Sequence, residues 1–153
     1  MPKKPTVSPT LSTSTPSAAP TNSSSNKFKI ELIWLTTATD TQLDAFNNAV
    51  ARWESVITEG YDSQVTFKEG STFCGYTFPS TTTISDLMIV VGLAYIDGPG
   101  NILGQAGPCA ATGAGTSIQS RFGIIELDSA DVNLMSTALL NGVILHEIGQ
   151  FVF

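Results

Sequence analysis

Two neighbouring side chains near the end of the sequence could do chemistry together, the imidazole of His146 and the carboxylate of Glu147. They lie in the apolar run "GVILHEIGQFVF", residues 142–153. In the pattern H-E-x-x-H on a helix, two histidines share a face and bind zinc, while the glutamate takes a proton from a metal-bound water. The fifth position here is Gln150. A lone histidine-glutamate pair also has a structural interpretation, in which a ring nitrogen bonds a backbone carbonyl.

This motif contains too few metal ligands for a catalytic zinc site. Zinc in such a site takes three protein ligands and one water. His146 is the only histidine of the sequence, and the side-chain oxygen of Gln150 is a weak, neutral donor that does not replace an imidazole. We therefore predict weak or absent zinc binding and negligible peptidase activity for this chain alone. We also expect that Gln150→His would not restore activity, because a third ligand is still missing.

The periodicity of apolar residues predicts the elements that position this pair. "KFKIELIWL" (27–35) alternates as a strand does, and residues 39–60 repeat at three- and four-residue steps, as in an amphipathic helix. That helix repeat comprises Leu43, Phe46, Val50, Trp53 and Ile57. Asp40 or Thr41 is the predicted N-cap, and Gly60 the predicted end.

The second half of the chain predicts more strands, a loop and a helix. "QVTFK" (64–68), "DLMIVVGLAYI" (86–96) and "FGIIELD" (122–128) read as strands, and the second should be central because it is apolar on both faces. The glycine-rich stretch 97–117 predicts a long loop. Residues 136–153 are apolar nearly all round, which predicts a buried helix. The order predicts an α/β or α+β domain with helices packed on a twisted mixed sheet.

Composition limits the partners. Residues 1–26 are mostly Pro, Ser, Thr and Ala and predict a disordered linker or stalk, which leaves 27–153 to fold. This part holds all thirteen acidic residues against five basic ones, a formal charge of −8. Such a surface repels phosphate, so nucleic acid is not an expected partner. The start "MPKKPTVSPT" lacks the apolar core of a signal peptide, and no segment is long enough to span a membrane.

The two cysteines, Cys74 and Cys109, could close one loop across 35 residues. In an oxidising compartment such a bridge stabilises by roughly 3–4 kcal/mol. The alternative is two buried thiols in a reducing cell, and the sequence leaves this open. The composition of the stalk favours an extracellular or cell-surface location.

Several blocks, in this order, resemble the leishmanolysin-like branch of the metzincin zinc endopeptidases. They are "FKIELIWL", the long helix, "SDLMIVVGLAYIDGPGNILGQAGPC", "GIIELDSADVNLM" and "GVILHEIG". The resemblance spans nearly all of residues 27–149. It implies a zincin-like fold, a catalytic zinc, and a protein or peptide substrate hydrolysed by a metal-activated water. It also places the strand "FGIIELD" near the edge along which an extended substrate pairs.

The resemblance assigns roles residue by residue. His146 matches the first zinc ligand, Glu147 the general base and Gly149 the glycine of the motif, whereas Gln150 stands at the second-ligand position. The third histidine and the methionine turn of the family have no counterpart in this sequence. We therefore expect residues 27–153 to be a zincin-like N-terminal subdomain truncated at its active-site helix, and inactive alone.

Two other interpretations remain. A non-catalytic zincin-like domain could serve adhesion or binding at a cell surface, since the stalk suits that role equally well. An unrelated α/β domain is the other. Within it, a nucleotide site is disfavoured because "GPGNILG" (98–104) misses the dinucleotide spacing by one residue. A serine hydrolase is disfavoured because no G-x-S-x-G occurs.

Overall fold

A computed structural model describes residues 26–115 and 117–152 of the chain. The predicted linker, apart from Asn26, lies outside the described residues, as does Phe153. The described part has two helices and three sheets, so the predicted α+β character is confirmed at that level. The elements in chain order are β1 (Ile30–Trp34), α1 (Asp40–Val56), β2 (Val65–Phe67), β3 (Thr72–Phe73), β4 (Tyr76–Thr77), β5 (Thr82–Ile84), β6 (Leu87–Ala94), β7 (Gly104–Thr112), β8 (Gln119–Asp128) and α2 (Thr137–Gly149).

The main sheet has four strands in the order β1-β6-β8-β7. β1, β6 and β8 run parallel to one another, and β7 pairs antiparallel with β8 at one edge. Residues 87–92 of β6 are all buried, which confirms the predicted central strand. A strand apolar on both faces needs cover on both, and the sheet has it: one core lies under α1 and α2, and a second lies on the opposite face.

β7 corrects the sequence-based expectation. Its residues fall inside the stretch that was predicted to be a loop, and its glycines, alanines and Pro108 gave no strand signal. Pairing with β8 supplies the order that local propensity lacks. β8, which contains "FGIIELD", lies directly next to the edge of the sheet, and β7 forms the edge itself.

The second core is aromatic. β2 pairs with β5, and β3 with β4, as two small antiparallel ribbons that cover the sheet. Only β2 was predicted. Phe67 stacks on Phe78 with ring centroids 4.6 Å apart, and Phe122 of β8 lies 5.1 Å from Phe78. The turn between β3 and β4 is held to β7 by a Cys74–Cys109 disulfide, with Cα atoms 5.7 Å apart. The bridged alternative is therefore the one that the structure adopts.

Helix α1 begins one residue earlier and ends sooner than predicted. Thr39, not Asp40 or Thr41, is the N-cap, and its hydroxyl accepts from the backbone N–H of Gln42 while the Gln42 side chain accepts from the Thr39 N–H. The helix ends at Val56, with Ile57 as its C-cap, four residues before Gly60. The fully buried residues of its inner face are Gln42, Ala45, Phe46 and Ala49. The predicted apolar stripe is correct for Phe46 and for the partly buried Val50, Trp53 and Ile57, which pack against the core, but wrong for the exposed Leu43.

Helix α2 begins after Ser136, whose hydroxyl accepts from the backbone N–H of Leu139. Leu140, Ile144 and Ile148 are buried against the sheet, but Leu139 on the other face is 47% exposed. The expectation that the whole helix is buried is therefore wrong on that outer face. Among the described residues, neither helix combines the length and hydrophobicity that crossing a membrane requires.

Candidate functional site

The predicted pair lies on α2 where one side chain meets solvent and the other is buried. His146 is exposed, whereas Glu147 is only 8% exposed. Neighbouring helix positions point about a quarter-turn apart, so the pair lies at the border between the outer and core faces of α2. Both residues line the groove beside the helix. The imidazole is therefore not turned inward among hydrocarbon side chains, and its hydrogen bond is to a side chain rather than to the backbone carbonyl of the structural interpretation.

His146 is paired with Gln150 one helical turn later. The distance from the amide Nε2 of Gln150 to the ring Nε2 of His146 is 3.1 Å. The Gln150 amide and the ring nitrogen are therefore within hydrogen-bond distance, and which of them donates depends on the tautomer of the imidazole. The ring nitrogen nearest to Gln150 is thus already engaged by the residue that stands at the second-ligand position.

The carboxyl group of Glu147 ionises less readily than that of an exposed glutamate. Burial raises the pKa of its carboxyl above the ordinary value, and the neighbouring charge of His146 partly offsets this by lowering it. A carboxyl with a raised pKa takes up a proton more readily at neutral pH than an exposed glutamate does. This is the property that a general base or acid needs.

The groove at this pair has a volume of about 390 Å³ and lies between α2 and the start of β7. Its lining comprises Leu103, Gly104, Ala138, Leu139, Gly142, Val143, His146 and Glu147. A second groove of about 350 Å³ lies across His146 and is lined by Trp53, Leu145, Gly149 and Gln150 as well. His146 therefore separates two grooves, one on each side of α2.

Gly149 allows α1 to approach this end of α2. A Cβ at Gly149 would lie 3.2 Å from the indole of Trp53, so a larger residue would require the indole to shift. The indole N–H of Trp53 donates to the carbonyl of Leu145 over 3.0 Å. The motif glycine thus has a packing role in this fold, next to any role in a site.

The edge strand β7 has backbone groups that point away from β8, and its first residue, Gly104, lines the first groove. The N–H of Asp128 donates to the carbonyl of Leu103, and antiparallel pairs alternate between bonded and non-bonded positions. The N–H and C=O groups of Gly104 and Ala106 therefore point away from β8, toward the open edge. Pro108 is the next position of this kind, where the missing N–H costs no ladder bond.

Two aspartates that were given no role hold the loop before β7. Asp128 accepts from the backbone N–H groups of Ala130, Asp97 and Gly98, and these bonds keep the pKa of its carboxyl below the ordinary value despite burial. Asp131 accepts from the N–H of Gly100 over 2.8 Å. The sequence "LDSAD" (127–131) already shows these two acidic residues at the end of a buried strand. Only the fold shows which backbone amides they bind.

The donor set does not fit a catalytic zinc. Across residues 26–115 and 117–152, no cluster of three or more His, Cys, Asp or Glu side chains is arranged to hold a metal ion. At the predicted site the donors are one imidazole and one carboxamide, with Glu147 beside them. Three protein ligands would be needed.

Comparison with known proteins adds no relative: no protein-family model matches the chain, and no curated protein is significantly similar to it.

Proposed function

We propose that residues 27–153 are the N-terminal part of the catalytic domain of a leishmanolysin-like, zincin-fold zinc endopeptidase, and that these residues alone are inactive. The observation that carries the proposal is that His146 and Glu147 line the same groove as Gly104, the first residue of the edge strand β7. A peptidase needs a reactive pair beside a surface that holds an extended chain, and this groove combines the two.

The substrate would be an extended peptide that pairs with β7. The outward N–H and C=O groups of Gly104 and Ala106 can bond its backbone, and main-chain pairing of this kind accepts many sequences. Glu147 would then act as the proton acceptor beside the peptide. His146 would be one metal ligand, and the remaining ligands would come from residues outside these 153.

Peptide pairing is testable on the chain as given. An extended, uncharged heptapeptide added to labelled protein should shift the amide resonances of Gly104 and Ala106 in a saturable way. Ala106→Pro should abolish the shifts, since it removes an outward N–H without breaking the ladder to β8. Gln105→Ala, which changes only a side chain on the same strand, should leave them intact. Peptide binding that survives Ala106→Pro would contradict pairing along this edge.

Zinc binding requires a separate measurement by titration calorimetry. The chain should bind zinc weakly or not at all, and Gln150→His should bind it measurably, because two imidazoles one turn apart can share a metal. His146→Ala in the Gln150→His background is the matched control and should lose that binding. Neither variant should cleave peptides. Zinc-dependent cleavage by the unaltered chain would refute the proposal of an inactive part.

A second candidate function is that of a non-catalytic binding domain with the same fold, and one observation favours it. The side chain of Gln150 is hydrogen-bonded to the ring of His146, so the ring that would bind metal has a partner already. A chain lengthened by the downstream coding sequence separates the two functions. If the chain is part of a peptidase, this longer chain should bind zinc tightly and cleave peptides. If it is a binding domain, the longer chain should do neither but should still pair with peptides along β7.

A further inference from the structure

A second cavity lies on the opposite face of the main sheet from α1 and α2. It has a volume of about 430 Å³ and lies between β2, β3 and the far end of β7. Phe67 and Phe73 give it aromatic walls, and Ala110 and Ala111 line it from β7. This volume falls within the range of small-molecule sites, and most of the lining is apolar.

The polar end of this cavity includes Arg121, which is 1% exposed. Its side chain donates to the hydroxyl of Thr112, the carbonyl of Ser85, the hydroxyl of Ser63 and the side-chain oxygen of Gln119, all of them neutral acceptors. These bonds occupy four of the five guanidinium N–H groups, and the guanidinium carbon lies 4.2 Å from the centroid of the Tyr61 ring.

This arginine is a buried cation without a carboxylate bonded to it. Every acidic residue of the sequence lies in the described part of the chain, and the one ion pair found there joins Lys29 to Glu54. Buried arginines are almost always paired with an anion, because a charge removed from water needs compensation. The bonds to neutral oxygens satisfy the geometry of Arg121, and the face of the Tyr61 ring lies against its charge. The buried carboxylate of Asp86 accepts from the backbone N–H of Tyr61 and lies in the same region, but it is not bonded to Arg121.

The charged residues that line the cavity indicate the charge of its ligand. Two lining residues are charged, Arg121 at the buried end and the exposed Lys68, and both are basic in a chain whose net charge is −6. We infer that this cavity binds a small organic carboxylate with an apolar or aromatic body. The carboxylate meets Arg121 and the Thr112 hydroxyl, where charge-assisted bonds are strong, and the body contacts Phe67 and Phe73.

The inference is independent of the zinc proposal and has its own test. The probe is 3-phenylpropionate, titrated into labelled protein and followed by two-dimensional NMR. Saturable shifts confined to residues 65–73 and 110–112 and to Arg121 are expected, with a dissociation constant in the millimolar range or tighter. The amide of the same acid, 3-phenylpropanamide, should bind at least tenfold more weakly, as should acetate, which lacks the apolar body.

Two variants separate a binding site from a purely structural arginine. Ala111→Phe fills the cavity from an exposed position and should weaken binding at least tenfold, whereas Ala51→Phe, at an exposed position on α1, should not. Arg121→Gln should lose binding if it folds, and if it unfolds the decision rests on Ala111→Phe and the amide. No saturation in the unaltered chain, equal affinity for the amide, or shifts centred on Trp53 would overturn the inference.

Discussion

Glu147, the proposed general base, is a buried carboxyl group whose burial has a cost in stability. Because burial raises its pKa above the ordinary value, the native state holds this proton at a higher pH than the unfolded chain does. The contribution to stability is therefore most favourable at low pH and declines as pH rises through the window above the unfolded value. Functional sites commonly carry groups that are unfavourable to the fold.

Glu147→Gln should therefore raise the melting temperature at pH 7.5, because it removes the buried charge. At pH 4, where the glutamate is already largely protonated, the two proteins should melt at nearly the same temperature. Thermal unfolding followed by circular dichroism at both values tests this. Glu59→Gln, at an exposed glutamate, is the control and should show no such pH dependence. A uniform shift of Glu147→Gln at both pH values would contradict the expectation.

The pKa of Asp128 is shifted in the opposite direction to that of Glu147. Backbone N–H donors lower its pKa, so its contribution to stability is present above the unfolded value and is lost as pH falls through the native one. Asp128→Asn should destabilise the protein at pH 7, since one amide oxygen cannot accept from all three N–H groups. The loss should shrink toward pH 3. The amide protons of Asp97 and Gly98 should exchange faster in this variant, and unchanged exchange would contradict the assigned role.

At the scale of elements, the sequence predicted strands and helices where side chains carry the signal. β1, β6, β8 and α1 have large apolar residues at the spacing of a strand or helix, and all four were recognised. β7 consists mostly of small residues, and its order comes from pairing with β8, a non-local contact that no local pattern reveals.

The candidate site divides in the same way. His146 and Glu147 were identifiable from their types and spacing on one helix. The strand edge that faces them was not, because β7 was read as a loop. Asp128 and Asp131 were visible as acids after a strand, but their acceptor role depends on where the loop 97–103 returns in space. Motifs within one element are readable from sequence, and partners brought together by topology are not.

Packing of β8 against the end of α2 gives a test at this scale. A Cβ at Gly123 would collide with the ring of Phe151, which is buried, whereas a Cβ at Gly107 on the neighbouring strand would meet no atom within 4 Å. Gly123→Ala should destabilise by about 1–3 kcal/mol through overpacking. Gly107→Ala should be neutral or stabilise by up to about 1 kcal/mol, since it restricts the unfolded chain. Chemical denaturation measures both, and equal effects would contradict the packing.

At the scale of the whole molecule, the Cys74–Cys109 bridge ties the aromatic ribbons to the main sheet. Closing a loop over 35 residues stabilises by roughly 3–4 kcal/mol, chiefly by restricting the unfolded chain. A double replacement of both cysteines by serine should lower the free energy of unfolding by about that amount. A reductant should destabilise the unaltered chain and leave the double variant unaffected, and a variant as stable as the unaltered chain would contradict the estimate.

The position of this bridge also determines how the protein responds to a nick. The segment between the two half-cystines includes β4, β5, β6 and the first part of β7. A protease that cuts one peptide bond anywhere between Gly75 and Pro108 would leave the amino- and carboxyl-terminal pieces joined through sulfur. Such a clipped molecule would migrate as one band on a non-reducing gel and separate into two fragments only after thiol treatment.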